Sequence, residues 1–333
     1  MSVVPSLEVS GLIKHFPVRG GWFTGGRKVV RAVDGVSFAI KRGETLGLVG
    51  ESGCGKSTVG KLALKLLEPT AGEIRISGTN ITGISPGTMW QHRHRIQIVF
   101  QDPYSSLNPR LSAGAIVGEP IENFGIAAGA DRDGRVAKLF ERVGLGTESM
   151  RKYPHEFSGG QRQRIGIAKA IAVNPDVIVA DEPVSALDVS VQAQVLNLLI
   201  DLQEEYRLSY LFISHDLAVM RHVSHRIAVM YLGRIVEMAE KRTLFSRPLH
   251  PYTEALLAAA PVPDPKRKNA RRLILQGEVP SPINPPSGCH FHPRCPYAIA
   301  ACKMIDPPLL EVAPGRHVAC IRRPPGGDEA PLS

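Results

Sequence analysis

The fold of this 333-residue chain is decided by residues 50–58, whose sequence is Gly50-Glu51-Ser52-Gly53-Cys54-Gly55-Lys56-Ser57-Thr58. An apolar run at 45–49 predicts a buried strand before them, and residues 59–67 predict a helix with Leu62, Leu64 and Leu66 among its apolar positions. A strand, a glycine-rich loop and a helix in this order are the context of a phosphate-binding loop. Glycines let successive N–H groups turn inward around an anion, and the helix start adds the positive end of its dipole. We therefore expect a nucleoside triphosphate site.

Two side chains of this loop have distinct tasks in such a site. Lys56 can reach the outer phosphates, and the Ser57 hydroxyl can ligate Mg²⁺. The remaining nucleotide-binding candidates are the loop residues that surround the phosphates: Gly50, Ser52, Gly53, Gly55 and Thr58. A glycine-rich turn without a ligand is the alternative, which the complete GxxxxGK[ST] pattern in this context disfavours.

Composition restricts the class of protein. Hydrophobic residues make up 43% of the chain, which is enough for a sizeable core, and no uninterrupted apolar run approaches the length of a membrane span. Residues 1–5 lack the charged start and the apolar stretch of a signal peptide. We expect the chain to stay in the cytoplasm, where thiols are kept reduced.

The formal net charge is +9, and much of it is local. One basic cluster lies at 266–272, and Arg316, Arg322 and Arg323 follow near the end of the chain. Such patches could attract nucleic acid or an anionic membrane surface. A solvated basic linker is an equally good interpretation, so that charge alone decides nothing about the partner.

Aromatic side chains near the start of the chain are candidates for stacking on a purine base. Residues 7–16 and 29–40 each have the pattern of a strand. Phe16 is our candidate for the stacking residue, with Trp22 and Phe23 as rivals. A core position at a strand end is the alternative for Phe16.

Polar residues follow two further predicted strands. The apolar run 96–100 ends at Gln101, and the run 177–180 ends at Asp181 and Glu182. Ligands of open α/β sheets bind outside the carboxyl ends of the strands. Gln101 is thus placed to sense Mg²⁺ or the attacking water. Asp181 suits a Mg²⁺ ligand that acts through water, and Glu182 suits a general base, although both could simply cap a strand end.

Residues 103–175 have a helical pattern interrupted by loops, and they predict an inserted helical subdomain. Within it, Ser158-Gly159-Gly160-Gln161 opens a helix and provides a second anion-binding helix start. Farther along, Asp188 precedes a long amphipathic helix at 189–206, and His215 follows the next buried strand. His215 could hydrogen-bond a γ-phosphate, although a lone histidine is more often structural.

These motifs in this order resemble the ATP-binding subunit of an ATP-binding-cassette (ABC) transporter, over about residues 5–245. The resemblance identifies Gly50 to Thr58 as the Walker A loop, Gln101 as the Q-loop and Phe157 to Gln161 as the signature. It further identifies Asp181 and Glu182 as the Walker B carboxylates, Asp188 as the D-loop and His215 as the switch histidine. Phe157 departs from the commoner leucine, beside an intact Ser-Gly-Gly-Gln.

The resemblance implies an α/β fold: a P-loop NTPase (ABC ATPase) core with an antiparallel β subdomain and an inserted helical subdomain, plus a small cysteine-rich C-terminal extension. The implied domains are a nucleotide-binding domain at 1–245, with its helical subdomain at about 103–175, and an extension at 246–333. ATP and Mg²⁺ are the implied cofactors.

The family mechanism needs two such domains, and this chain has one phosphate loop and no internal repeat. The resemblance implies that two domains close head to tail, with Ser158, Gly159 and Gly160 of one capping the γ-phosphate held by Lys56 of the other. Closure then buries ATP, Glu182 orients water, and hydrolysis reopens the pair. Residues 101–109 are where such families receive the coupling helices of membrane subunits. We expect an active ATPase, because every motif needed for hydrolysis is present.

Four of the five cysteines lie near the C-terminus with the spacing C-x5-C-x6-C-x17-C: Cys289, Cys295, Cys302 and Cys320. In a reduced compartment this clustering favours a metal site over disulfides. Four thiolates suit either zinc or an iron–sulfur cluster, and zinc is disfavoured because no Cys-x-x-Cys pair is present. A chance cluster of small buried cysteines is the remaining alternative.

The tail resembles the C-terminal extension of ATPases that serve dipeptide, oligopeptide and in some cases nickel importers. The matching stretches are His250 to Thr253, Gly277 to Pro282 and His292 to Pro296. The resemblance implies that the four cysteines hold a [4Fe–4S] cluster. Lys14 to Pro17 and Ala32 to Phe38 resemble the second of the two ATPase subunits that such importers often use, which favours a heterodimer over a homodimer.

The implied function is ATP hydrolysis that powers peptide import. The implied partners are a second ABC ATPase subunit, two polytopic membrane permease subunits and, indirectly, an extracytoplasmic solute-binding protein. The expected location is peripheral, on the cytoplasmic side of the inner membrane. One alternative keeps this ATPase and changes the cargo to nickel complexes or another small solute. A second is a soluble ABC ATPase that acts on nucleic acid or ribosomes; such proteins often carry two cassettes or a long coiled insertion, and neither is present, so we expect no nucleic-acid partner.

Overall fold

The structure, a computed structural model, describes residues 4–18, 28–259 and 278–326. Trp22, Phe23, Gly277 and the basic cluster at 266–272 lie outside the described residues. The strands are β1 (Leu7–Pro17), β2 (Val29–Ile40), β3 (Thr45–Val49), β4 (Ala71–Ile76), β5 (Thr79–Asn80), β6 (Ile96–Val99), β7 (Val177–Asp181), β8 (Ser209–Ile213), β9 (Arg226–Tyr231), β10 (Arg234–Glu240), β11 (Leu310–Ala313) and β12 (Arg316–Val318).

Helices alternate with many of these strands. The α-helices are α1 (Lys56–Ala63), α2 (Pro86–Trp90), α3 (Pro103–Ser106), α4 (Ala113–Asn123), α5 (Gly129–Arg142), α6 (Gly159–Ile171), α7 (Val189–Tyr206), α8 (Leu217–Val223), α9 (Lys241–Ser246) and α10 (Pro251–Ala259). Short 3-10 helices occur at Arg93–Arg95, Thr147–Arg151, Pro154–Glu156, His292–Arg294 and Ala300–Lys303. No helix of the described ranges is long and apolar enough to cross a membrane.

One compact unit consists, among the described residues, of 4–8, 39–45 and 75–213. Its strands β6, β7 and β8 form a parallel ladder, with Val99 opposite Ala180 and Asp181 opposite Ile213. The side chains of β8, and those of β7 up to Ala180, are buried along the whole strand, as expected for parallel strands covered on both faces. Helix α4 packs against α5 and α6, and α6 also contacts α7.

The second compact unit contains the remaining described residues: 9–18, 28–38, 46–74, 214–259 and 278–326. In this unit β9 pairs in parallel with β3, placing Val49 opposite Val229, while β10 pairs antiparallel with both β9 and β12. Strands β2, β1 and β4, which lie mostly in this unit, are hydrogen-bonded neighbours in that order. All five residues of β3 are buried, so that the strand leading into the phosphate loop is held by packing on both faces.

The first helix differs from its prediction at both ends. Helix α1 begins at Lys56 rather than at residue 59, and it ends at Ala63 rather than at 67. Lys65 adopts a left-handed backbone with φ of 51°, and Leu66 N–H donates back to Lys61 O at 2.9 Å, which stops the helix. Leu66 is therefore 52% exposed, whereas Leu62 and Leu64 are buried as the pattern predicted.

Glu237 of β10 holds the start of helix α10 in place. Its side chain is fully buried, and its two carboxylate oxygens accept hydrogen bonds from Leu249 N–H at 2.9 Å and His250 N–H at 2.8 Å. Burial raises the pKa of Glu237, and these donors oppose that shift. His250 Nδ1 in turn accepts from Tyr252 N–H at 3.1 Å, and burial lowers the pKa of His250 to about 3, which keeps the ring neutral. Glu237 thereby satisfies the buried backbone donors of the two residues that precede α10.

The substitution Glu237→Gln should destabilise the fold. An amide has one acceptor oxygen in place of two, so that one of the two buried N–H groups loses its partner, at a cost of roughly 2 kcal/mol. We expect urea unfolding to shift to lower denaturant concentration, with Glu240→Gln as the matched control because Glu240 is an exposed glutamate of the same strand. Equal midpoints for the two variants would contradict the assigned role of Glu237.

Candidate functional site

The phosphate-binding loop connects β3 to α1, and its lysine points back into the loop. Lys56 is buried, with 6% of its surface exposed, and its Nζ donates to Gly50 O at 2.7 Å and to Glu51 O at 2.9 Å. The ammonium group is therefore held against the backbone that would surround a phosphate. Anionic oxygens can replace these neutral carbonyl acceptors, because charge-assisted hydrogen bonds are the stronger ones.

Two glycines of this loop are required by space as well as by backbone conformation. Gly50 has φ of 154° and Gly55 has φ of 106°. A Cβ atom at Gly50 would collide with Met230 O, and one at Gly55 would collide with Ala32 O. Since both neighbours are backbone atoms, they cannot rotate away, and no residue with a side chain fits either position.

The general-base candidate and the Q-loop candidate are in contact. Gln101 Nε2 donates to Glu182 Oε2 at 3.1 Å, just beyond the carboxyl ends of the neighbouring strands β6 and β7. Glu182 has a left-handed backbone with φ of 47°, and its N–H donates to Ile213 O at 2.9 Å. Such a conformation is costly for a residue with a side chain, and strained residues of this kind cluster at functional sites. Asp181 precedes it as the last residue of β7, with a half-exposed side chain.

The signature serine caps the helix that it was predicted to open. Ser158 Oγ accepts from Gln161 N–H at 3.3 Å, and Gln161 Oε1 accepts from Ser158 N–H at 2.9 Å. This reciprocal pair is a capping box at the start of α6. Ser158 and Gly159 are exposed there, so the helix start is accessible to an anion.

Three further predicted site residues occupy different places. Asp188 is the exposed residue that precedes α7, and His215 is exposed directly before Asp216, the cap of α8. Phe16 is half-buried near the end of β1, with the Lys14 ammonium 5.1 Å from its ring centre. The roles assigned to these residues from the sequence stay predictions.

The structure also reveals contacts that sequence reasoning missed. Gln163 is buried in α6 and donates from Nε2 to Phe100 O at 3.3 Å, directly before Gln101. Glu51 N–H of the phosphate loop donates to the Tyr252 hydroxyl at 2.9 Å, and its carboxylate pairs with Arg294. The matched stretches around Tyr252 and Arg294 were the available signal, but nothing in them indicates which residue they contact.

The four C-terminal cysteines line one small pocket. Its volume is about 20 Å³, and Cys289, Cys295, Cys302 and Cys320 are all in its wall. Burial raises the pKa of Cys289 and of Cys295 to about 11, so that both are neutral thiols at physiological pH. Among the residues that the structure describes, no group of three or more His, Cys, Asp or Glu side chains is arranged to hold a metal ion.

Comparisons with known proteins agree with this geometry. A family model described as ABC transporter matches residues 33–185, and one described as oligopeptide/dipeptide transporter, C-terminal region, matches residues 236–302. The chain is 56% identical over 319 residues to the probable peptide ABC transporter ATP-binding protein y4tS of Sinorhizobium fredii, covering 96% of this chain and 90% of that protein. It is 53% identical over 318 residues to the oligopeptide transport ATP-binding protein AppF of Bacillus subtilis, covering 94% of this chain and 96% of that protein.

A solved structure with the same fold is a dimeric post-hydrolysis state of the ATP-binding cassette MJ0796 bound to ADP and phosphate. The TM-score is 0.63 at 29% identity, and the match covers 71% of this chain and 99% of that one. The phosphate loop, the signature helix and these matches define an ABC-type ATPase with an α/β P-loop core, an antiparallel β subdomain and a helical subdomain, which confirms the predicted fold class.

The chain belongs to the family of ATP-binding subunits of oligopeptide and dipeptide ABC importers. Members of this family are ATPases that energise peptide import, and the resemblance stated from the sequence is confirmed. ABC ATPases dimerise and pair with permease subunits.

The substitution Lys56→Ala should weaken ATP binding by roughly 30-fold or more, because it removes a buried cation from the phosphate loop. Lys61→Ala is the matched control, since Lys61 is an exposed lysine on the same helix. Titration of each variant with a fluorescent ATP analogue measures the difference. Equal affinities would argue against the phosphate-loop assignment.

Proposed function

We propose that this chain hydrolyses ATP within a closed dimer of ABC ATPases and thereby powers dipeptide or oligopeptide import. The observation that carries the proposal is the 3.1 Å hydrogen bond between Gln101 and Glu182. It joins the loop that is predicted to receive a membrane subunit to the carboxylate that is predicted to activate water. A displacement of that loop can therefore change the orientation of the general base.

We infer the roles of the remaining residues from the motifs in which they stand. Lys56 would hold the outer phosphates, while Ser57 and, through water, Asp181 would hold Mg²⁺, which neutralises charge on the phosphates. Glu182 would accept a proton from the attacking water, and Gln101 fixes the carboxylate that does so. Ser158 and the following glycines would present a capped helix start to the γ-phosphate of the second domain, with His215 as a further hydrogen-bonding group.

Replacing Glu182 by Gln should slow hydrolysis by about 10²–10⁴-fold while preserving ATP binding, because an amide cannot accept the proton. A dimer with ATP trapped should accumulate, and size-exclusion chromatography in the presence of ATP and Mg²⁺ would detect it. Glu204→Gln serves as control, since Glu204 is an exposed glutamate on α7. Turnover at the wild-type rate in the Glu182 variant would exclude the general-base role.

We further propose that Cys289, Cys295, Cys302 and Cys320 hold a [4Fe–4S] cluster. Support comes from the donor set, because four thiols from separated positions line one pocket. Burial raises the pKa of Cys289, Cys295 and Cys320, so that occupation of the pocket would release protons from these thiols and join the four chain segments. Such a cluster supplies a cross-link and, where its potential permits, one-electron chemistry.

Anaerobic purification followed by iron, zinc and acid-labile sulfide analysis tests this site. We expect about four irons and four sulfides per chain and a broad brown absorbance. Cys302→Ser should abolish the absorbance, because Cys302 is buried in the pocket wall, whereas Cys54→Ser in the phosphate loop should retain it. Zinc without sulfide, or no metal at all, would contradict the cluster.

The proposed setting is peripheral, on the cytoplasmic side of the inner membrane, with a second ATPase subunit, two permease subunits and an extracytoplasmic solute-binding protein in the complete importer. A heterodimer is proposed because the stretches around Lys14 and Ala32 resemble the second ATPase type. In this assignment residues 1–245 form the nucleotide-binding domain and residues 246–333 form the importer-type extension.

A further inference from the structure

Arg294 connects the cysteine-rich segment to the phosphate-binding loop. It is the last residue of the 3-10 helix His292–Arg294 and directly precedes Cys295 of the cysteine pocket. Its guanidinium donates from Nη1 to Glu51 Oε2 at 2.8 Å and from Nη2 to Glu51 Oε1 at 3.1 Å. Glu51 is the second residue of the phosphate loop, so this bidentate pair joins positions 243 residues apart.

Burial makes this pair rigid. The Arg294 side chain is 6% exposed and that of Glu51 is 25% exposed. The hydrogen bonds that Arg294 donates to Glu51 raise the pKa of its guanidinium further above the usual range, so that the charge is permanent. A planar guanidinium that uses two donors on one carboxylate fixes orientation as well as distance. Removing either partner would leave a largely buried charge without its counter-ion.

Glu51 is held at three points, and one of them is the lysine of the phosphate loop. Its carboxylate binds Arg294, its N–H donates to the Tyr252 hydroxyl at 2.9 Å, and its carbonyl accepts from Lys56 Nζ at 2.9 Å. The position of that carbonyl therefore sets where the ammonium of Lys56 rests. Loss of one anchor on Glu51 frees the peptide that Lys56 contacts.

An aromatic cluster packs beside the Arg294–Glu51 pair. Tyr231, Tyr252 and Phe291 are buried against one another, with ring centres 4.7 Å apart for Tyr231 and Tyr252 and 5.4 Å apart for Tyr252 and Phe291. The Arg294 guanidinium lies 5.9 Å from the centre of the Tyr231 ring. Phe291 lies between Cys289 and Cys295 in sequence, so the cluster ties the cysteine pocket to the residue that contacts Glu51 N–H.

We propose that Arg294 is a positioning residue of the phosphate loop: through Glu51 it places Lys56 for nucleotide binding, and it makes the geometry of the loop depend on the cysteine-rich segment. The inference rests on ATP binding at residues 50–58 and does not require the pocket to hold a particular metal.

The test compares ATP affinity in full-length variants. Arg294→Gln should weaken ATP binding by about tenfold, because a buried charged hydrogen-bond pair is broken. KM for ATP should rise by a similar factor while kcat changes less than about twofold, since Arg294 acts through Glu51 and is not among the residues proposed to activate water. Arg294→Lys should recover part of the affinity, because it restores the charge without the bidentate geometry.

A double-mutant cycle tests whether Arg294 affects ATP binding through Glu51. Glu51→Gln should weaken ATP binding about as much as Arg294→Gln, and the double variant should lose no more than either single one. Lys303→Gln is the matched control, because Lys303 is an exposed cation directly beside Cys302 of the same pocket. It should bind ATP as the wild type does. The thermal unfolding midpoint and the metal content, recorded for each variant, separate loop positioning from general destabilisation.

Failure of the positioning role of Arg294 can be distinguished from failure of nucleotide binding at the phosphate loop. Wild-type affinity in Arg294→Gln, or additive losses in the double variant, would overturn the proposal while Lys56→Ala still showed the nucleotide site to be sound. Wild-type affinity in Lys56→Ala as well would instead refute nucleotide binding at this loop. If Arg294→Gln fails to fold, Glu51→Gln carries the decision, because its side chain is partly exposed: weakened ATP binding with unchanged unfolding supports the proposal, and unchanged binding overturns it.

Discussion

A phosphate loop must wrap its own backbone around an anion, and the rest of this structure depends on meeting that constraint. Gly50 and Gly55 leave room where any Cβ atom would collide with backbone of Met230 or Ala32. Lys56 then lies against the carbonyls of Gly50 and Glu51, which hold its charge beside the space for phosphate. The buried strand β3 fixes where the loop starts, and so the loop has little freedom of its own.

The parallel ladder brings together two residues that are predicted to act in hydrolysis. Since β6 and β7 run in the same direction, the residues that follow them emerge at one edge, where Gln101 and Glu182 meet. Glu182 has a left-handed backbone at this edge, a conformation that is unfavourable for a residue with a side chain. At this edge Gln101 Nε2 donates to Glu182 Oε2, so that the two predicted site residues are in direct contact.

Buried polar and charged groups connect the C-terminal extension to the phosphate-binding loop. Glu237 satisfies the backbone at the start of α10, and α10 provides Tyr252, whose hydroxyl receives Glu51 N–H. Arg294 reaches the same glutamate from the cysteine-rich segment. Residues of the extension thus contact the second residue of the phosphate loop directly.

The sequence by itself determined the phosphate loop, the strand that precedes it, the carboxylates at the end of β7 and the capped start of α6, because each depends on neighbouring residues and a regular period. Even there it placed the end of α1 four residues too late, since the left-handed turn at Lys65 has no distinctive local pattern. Only the tertiary structure decided that Glu51 contacts Tyr252, 201 residues away, and Arg294, 243 residues away. Contacts at such separations arise from how elements pack, and packing leaves no periodic signal in the chain.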